Sequence, residues 1–252
     1  MVMKVDLNSD MGEGFGPWRM GDDAALLDVI TSANIACGFH AGDPDVMAET
    51  MRLAAKNGVG IGAHPGFADL KGFGRRRLNI GAEELGNMIA YQLGAAEGMA
   101  RSVGANIRHF KLHGALANMC AEDATLAKTC YSAALRVNPE IILMVLAETA
   151  QQAVVQELGA NWAGEIFADR AYEDDATLVD RSKAGAVLHD ADMAAERILN
   201  MLREDAIIAE SGKRIPAKID TICLHGDTPE AVEMARALRT KLSAAGVTLT
   251  QF

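Results

Sequence analysis

His109, Lys111 and His113 stand at alternate positions in the run Arg108-His109-Phe110-Lys111-Leu112-His113-Gly114. Alternate side chains of an extended strand share a face. The three ionisable groups therefore point one way, and Phe110 and Leu112 the other. In a barrel the apolar pair packs on the helices, which aims Lys111 and His113 into the barrel or its mouth. A lysine is seldom buried unless it is paired or titrates low, so this pair signals catalysis or anion binding. Asp6, Asn8 and Asp10 repeat the same alternation, and Gly12, Gly14 and Gly16 around Glu13 then permit a tight turn close to a ligand. His40 lies between Gly38 and Gly42, just before an Asp43-Pro44 helix start, and His64 closes Gly60-Ile61-Gly62-Ala63-His64. Histidines in the same place on successive strands point to a shared site. Asp10, His40 and His64 make a ligand set suited to a divalent ion.

Three further groups carry charge to strand or helix ends. Asp169-Arg170 follows Phe167-Ala168 and opens a segment to His189 with few helix signals, which reads as a lid over a site. His225 and Asp227 precede Thr228-Pro229, where free N–H groups of a helix start favour an anion. Arg75-Arg76-Arg77 is the one dense basic run, either a solvated patch or a contact for phosphate or carboxylate. Asn34, polar inside an apolar strand, needs a partner. No G-x-x-x-x-G-K-[ST], no G-x-G-x-x-G after a strand and no H-E-x-x-H occurs, which disfavours a P-loop, a dinucleotide fold and a zincin.

These groups need a scaffold that brings many strand ends together. The pattern predicts strands at Lys4–Leu7, Ser32–Ala36, Val59–Ala63, Ile107–Leu112, Ile141–Leu146, Trp162–Ala168 and Ile219–Leu224. Helices are predicted at Asp22–Ile30, Pro44–Asn57, Ala82–Val103, Ala124–Val137, Thr149–Leu158, Met193–Ser211 and Pro229–Ala244. Such alternation indicates βαβ units and a parallel sheet. Polar residues follow six of the seven strands. That favours a TIM-like (β/α)7 barrel, whose strand ends share one mouth, over an open doubly wound sheet. With 252 residues and no linker or repeat, one domain spanning 1–252 is expected.

Composition narrows the function classes. Half of the residues are hydrophobic, which excludes a disordered chain. The net charge of −10 disfavours nucleic-acid binding. The longest apolar run, Ile141 to Ala147, is far below the roughly 20 residues of a membrane span. Early charges argue against a signal peptide. Cys37, Cys120, Cys130 and Cys223 form no Cys-x-x-Cys pair and read as buried thiols of a cytoplasmic protein.

Six stretches, in order and across nearly the whole chain, resemble the LamB/YcsF family, whose members serve in prokaryotic 5-oxoprolinase as its A component. They are VDLNSDMGEGFGPW from Val5, SANIACGFHAGDP from Ser32, GAHPGFADLKGFGRR from Gly62, KLHGAL from Lys111, FADRAYEDDATLV from Phe167 and LHGDTP from Leu224. The chain departs from the family pattern at Leu112, where Pro is usual, at Ala117 for Tyr and at Ala176 for Gly. The resemblance implies a seven-stranded barrel of the glycoside hydrolase/deacetylase superfamily. It also implies ATP-dependent cleavage of 5-oxo-L-proline to L-glutamate with partner subunits B and C. On that reading Lys111, Arg75 and Arg76 neutralise phosphate or the substrate carboxylate, and His113 or His64 is the base. Asp10 and Glu13 orient groups or hold the Mg2+ of ATP. Asn8, His40, Asp169, Arg170, His225 and Asp227 join them as binding residues. A metal-dependent amide hydrolase acting without ATP and a non-catalytic scaffold for partner subunits stay open, as does a homo-oligomer.

Overall fold

In the computed structural model, which describes residues 3–180, 182–188, 190–224 and 229–252, seven parallel strands close on themselves. They are β1 (Lys4–Met11), β2 (Ser32–Ala36), β3 (Gly60–His64), β4 (His109–Lys111), β5 (Ile142–Leu146), β6 (Trp162–Phe167) and β9 (Thr221–Cys223). Each pairs with the next, and β9 pairs with both β6 and β1. The closing register sets Asp6 opposite Thr221 and Asn8 opposite Cys223. A short β10 (Thr248–Leu249) adds to the outer end of β1, and β7 (Ala206–Ile208) and β8 (Arg214–Pro216) form a separate antiparallel pair.

The helices are α1 (Asp23–Leu27), α2 (Pro44–Lys56), α3 (Ala82–Ser102), α4 (Gly114–Glu122), α5 (Ala124–Val137), α6 (Ala150–Glu157), α7 (Ala191–Glu204) and α8 (Pro229–Ala244). Several of their starts follow from capping chemistry. Asp43 accepts the N–H groups of Asp45 and Val46 at 2.9 Å ahead of Pro44, which satisfies donors the helix leaves orphaned. The core lies between helices and barrel: Phe110 of β4 meets Tyr131 of α5, both fully buried. All four cysteines are buried and unbridged. No described helix is long and apolar enough to cross a membrane.

The structure corrects three expectations. The helix expected to run to Ser211 stops at Glu204, where Asp205 turns left-handed at φ 47° and the β-branched pair Ile207-Ile208 enters the β7–β8 hairpin instead. Helix α4 occupies what read as loop, because Gly114 at φ 55° turns the chain sharply after β4. Strand β1 runs on to Met11, which carries Asp6, Asn8 and Asp10 along a single strand.

Candidate active site

The polar side chains of β1, β2, β4 and β6 meet inside the barrel. His109 reaches Asn34 because β3 has glycine at 62: a Cβ there would lie 2.1 Å from the His109 ring. His109 Nε2 lies 2.8 Å from Asn34 Oδ1, and the Asn34 amide donates to Asn8 Oδ1 at 2.7 Å and Asp10 Oδ1 at 2.9 Å. An Asn34 amide nitrogen used in two bonds leaves its oxygen as acceptor, so His109 donates from Nε2. Asn8 in turn donates to Thr221 Oγ1 at 2.7 Å.

Lys111 stands above this chain of bonds. Its Nζ is 3.0 Å from Asp10, 2.7 Å from Glu165 of β6 and 3.2 Å from Cys223 Sγ. Burial alone pushes a lysine pKa down, but the Asp10 and Glu165 carboxylates more than offset it and hold Lys111 well above the ordinary lysine range. Burial likewise pushes the Asp10 carboxyl up, and the facing His64 and Lys111 overcome this and hold it well below the usual carboxylate range. The pair is therefore an ammonium and a carboxylate at neutral pH.

Beside Asp10, three imidazoles and Glu13 converge. Asp10 Oδ2 is 3.2 Å from His64 Nε2, which is 3.0 Å from His113 Nδ1. Glu13 Oε1 is 3.6 Å from His40 Nε2 and 3.8 Å from His113 Nδ1. His113 is brought here by its place at the start of α4. Gly74, at φ 61°, lets the 65–81 loop close over the rings, since a Cβ there would sit 2.8 Å from His40. Burial and the neighbouring His64 drive His113 down to about 3, and burial with both neighbouring imidazoles drives His40 well below its ordinary value. Both rings are neutral at pH 7. One ligand atom from each of Glu13, His40, His64 and His113 lies within 4.8 Å of the others. This donor set, with His40 fully buried and unbonded at both nitrogens among the described residues, fits a metal ion.

These groups floor a cavity of about 450 Å3 walled by Arg75, Arg77, Gly114, Asn118, Gln151 and the 177–180 segment. Of the residues singled out from sequence, Asp10, Glu13, His64, Arg75, Lys111, His113 and Arg170 line it. Asn8 lies beneath the floor, and His40 packs behind His113. Arg76 turns to the outside, where its Nε donates to Asp69 at 2.9 Å. Asp169 is buried and its carbonyl accepts the Leu188 N–H at 2.7 Å. Arg170 donates to the Val179 carbonyl at 2.6 Å, holding residues 177–180 at the cavity wall. His225 and Asp227 lie outside the described residues. Glu165 was not among the expected site residues. Its signal is a lone carboxylate in the otherwise apolar run Trp162–Phe167, which needs a buried cation or hydrogen-bond donors as partner.

The LamB/YcsF family matches residues 5–252. The chain is 64% identical over 251 residues to the A component of 5-oxoprolinase from Ruegeria pomeroyi, covering 100% of this chain and 99% of that one. It is 52% identical over 251 residues to its namesake from Rhodopseudomonas palustris, covering 99% of each. Among solved structures, a lactam utilization protein from Thermus thermophilus superposes with a TM-score of 0.93 at 39% identity, covering 99% of this chain and 100% of that one. A family 4 carbohydrate esterase from Streptomyces lividans, at 11% identity and TM-score 0.51 over 98% of this chain and 91% of that one, shares the fold.

Proposed function

The chain belongs to the LamB/YcsF family, and from that premise we propose that it is the A component of a 5-oxoprolinase, opening 5-oxo-L-proline to L-glutamate with ATP and partner subunits B and C. The observation that carries this reading is the placement of Lys111. A permanently charged ammonium, 3.0 Å from Asp10 and 2.7 Å from Glu165, faces a cavity sized for a small molecule.

A five-membered lactam is a stable amide, so its carbonyl must be activated before water adds. In the proposed route the γ-phosphoryl group of ATP passes to the lactam oxygen and ADP leaves. Water adds to the same carbon, the ring C–N bond breaks with proton transfer to nitrogen, and hydrolysis of the acyl phosphate releases phosphate and the new carboxylate. One ATP and two waters are consumed per glutamate. Lys111 and Arg75 offset the negative charge that gathers on the phosphorylated oxygen and the substrate carboxylate. Water gives up its proton at Asp10, whose ionised carboxylate borders the His64–His113 cluster. Asn34 and Asn8 hold Asp10 and Lys111 in register. The chain has no phosphate-binding glycine loop of the P-loop type, so ATP is bound either by a site of another form in this chain or by a partner subunit.

The test is glutamate formation from 5-oxo-L-proline with ATP and Mg2+, by this chain alone and with subunits B and C. Glutamate from the complete set that stops in Lys111→Met is the expected result. A folded, assembled set that makes no glutamate overturns the reading.

A further inference from the structure

We infer that Glu13, His40, His64 and His113 hold one divalent transition-metal ion of the zinc, manganese or cobalt type. The inference deepens the reading above, which needs water made reactive at this cluster, and it stands on the geometry of these four side chains.

His64 Nδ1 lies 2.9 Å from the Lys111 carbonyl, and His113 Nε2 lies 2.8 Å from the Phe73 carbonyl. A carbonyl only accepts, so each of these nitrogens carries the ring proton. That turns the other nitrogen of each ring, His64 Nε2 and His113 Nδ1, toward the cluster, where they face each other at 3.0 Å. Asp10 Oδ2 stands 3.2 Å from His64 Nε2.

A shared proton would satisfy the His64–His113 pair alone. It would leave His40, 0% exposed, without a hydrogen bond at either nitrogen among the described residues, and His40 Nε2 points toward Glu13 Oε1 at 3.6 Å. A metal ion serves all four groups at once. Metal bonds of about 2.0–2.2 Å place neighbouring donors roughly 3.0–3.6 Å apart, close to the spacings of 3.0, 3.6 and 3.8 Å seen across this cluster. The outer bonds of His64 and His113 to backbone carbonyls are those that fix the tautomer of metal-ligating imidazoles. Three nitrogens and one carboxylate suit a borderline transition metal; magnesium and calcium prefer oxygen. The ion is thus distinct from the magnesium that accompanies ATP. Once bound, it would polarise a water or the lactam carbonyl.

The full-length chain, stripped with a chelator and shown to be folded by circular dichroism, is titrated with Zn2+ and Co2+ by calorimetry, and Co2+ binding is followed by visible absorption. One ion per chain is expected, with the d–d bands of a histidine-ligated cobalt. His40→Gln and His113→Gln should weaken binding by at least about tenfold, while Arg76→Ala, on the outer surface, should leave it unchanged. Should those histidine variants misfold, anomalous scattering from a zinc-soaked wild-type crystal must place the ion among these four side chains. No stoichiometric binding by the folded wild type, binding unaltered in both folded variants, or anomalous density elsewhere overturns the inference. Binding is read without substrate, so its failure leaves the glutamate assay standing, and failure of that assay leaves the ion.

Discussion

His40 lies flat against His113, ring centroids 3.7 Å apart and planes within 6° of parallel. One imidazole is thereby the back wall of the other, and His113 keeps its direction only while His40 fills the space behind it. His40→Ala removes that wall and leaves a void beside Gly66 and Gly74. We expect a loss of about 1–3 kcal/mol in unfolding free energy by urea titration. Turnover of the assembled complex should fall by more than about tenfold at unchanged 5-oxoproline KM, because His113 loses its aim.

Lys111 neutralises two carboxylates at once. Removing it leaves Asp10 and Glu165 facing each other, Glu165 almost fully buried. Lys111→Met should cost about 3–5 kcal/mol. The double change Lys111→Met with Glu165→Gln should be more stable than Lys111→Met alone. A double-mutant cycle by chemical denaturation that shows additive losses would contradict this coupling.

The arginine run divides by direction. Arg75 lines the cavity, while Arg76 is bonded to Asp69 outside it. In steady-state kinetics of the complex, Arg75→Ala should raise the KM for 5-oxoproline about tenfold, the value of one charge-assisted hydrogen bond. Arg76→Ala should leave it within about twofold.

Asp6 gives a pH dependence of unusual sign. It is fully buried beneath Asn8, accepting hydroxyls of Thr31 and Ser32 on Oδ1 and of Thr221 on Oδ2. Burial raises its pKa, and the three hydroxyls lower it by less, so the folded value stays above the ordinary one. A carboxyl raised on folding favours the native state most below its unfolded pKa of about 3.9, and that contribution is lost as pH rises through the folded value. The stability of wild type relative to Asp6→Asn should therefore decline as pH rises from about 4 through the raised folded value, measured by urea midpoints at each pH. A difference that grows with pH would mean that the hydroxyl bonds win.

Much of this arrangement is legible in the residues. The alternation of His109, Lys111 and His113, and of Asp6, Asn8 and Asp10, reports side-chain direction, which a strand's geometry alone decides. The polar residues trailing successive strands imply a common mouth. What escapes is whatever depends on where a chain turns. Three adjacent arginines read alike until the Leu70–Gly72 turn and Asp69 send Arg76 outward. Glu165 and His113 both belong to the site, but Glu165 hides in an apolar strand because its partner comes from β4. The hairpin at β7–β8 reads as helix because Ile207 and Ile208 continue the apolar spacing of α7. Proton positions on His64 and His113 depend on backbone carbonyls that no sequence pattern names.

The barrel seam has a kinetic meaning. The bond from Asn8 to Thr221 joins residues 213 apart in the chain, and Lys111 meets Cys223 across another 112. A ribosome delivers the chain from its N-terminus, at about 5–20 residues per second. Asp6 and Asn8 find Thr31, Ser32 and Asn34 early, but each then waits for its Thr221 partner on a three-residue strand made more than 200 residues later. Long-range closure of this kind is slow. The nascent chain should depend on chaperones during that interval, and the half-built cavity cannot work before its last strand docks.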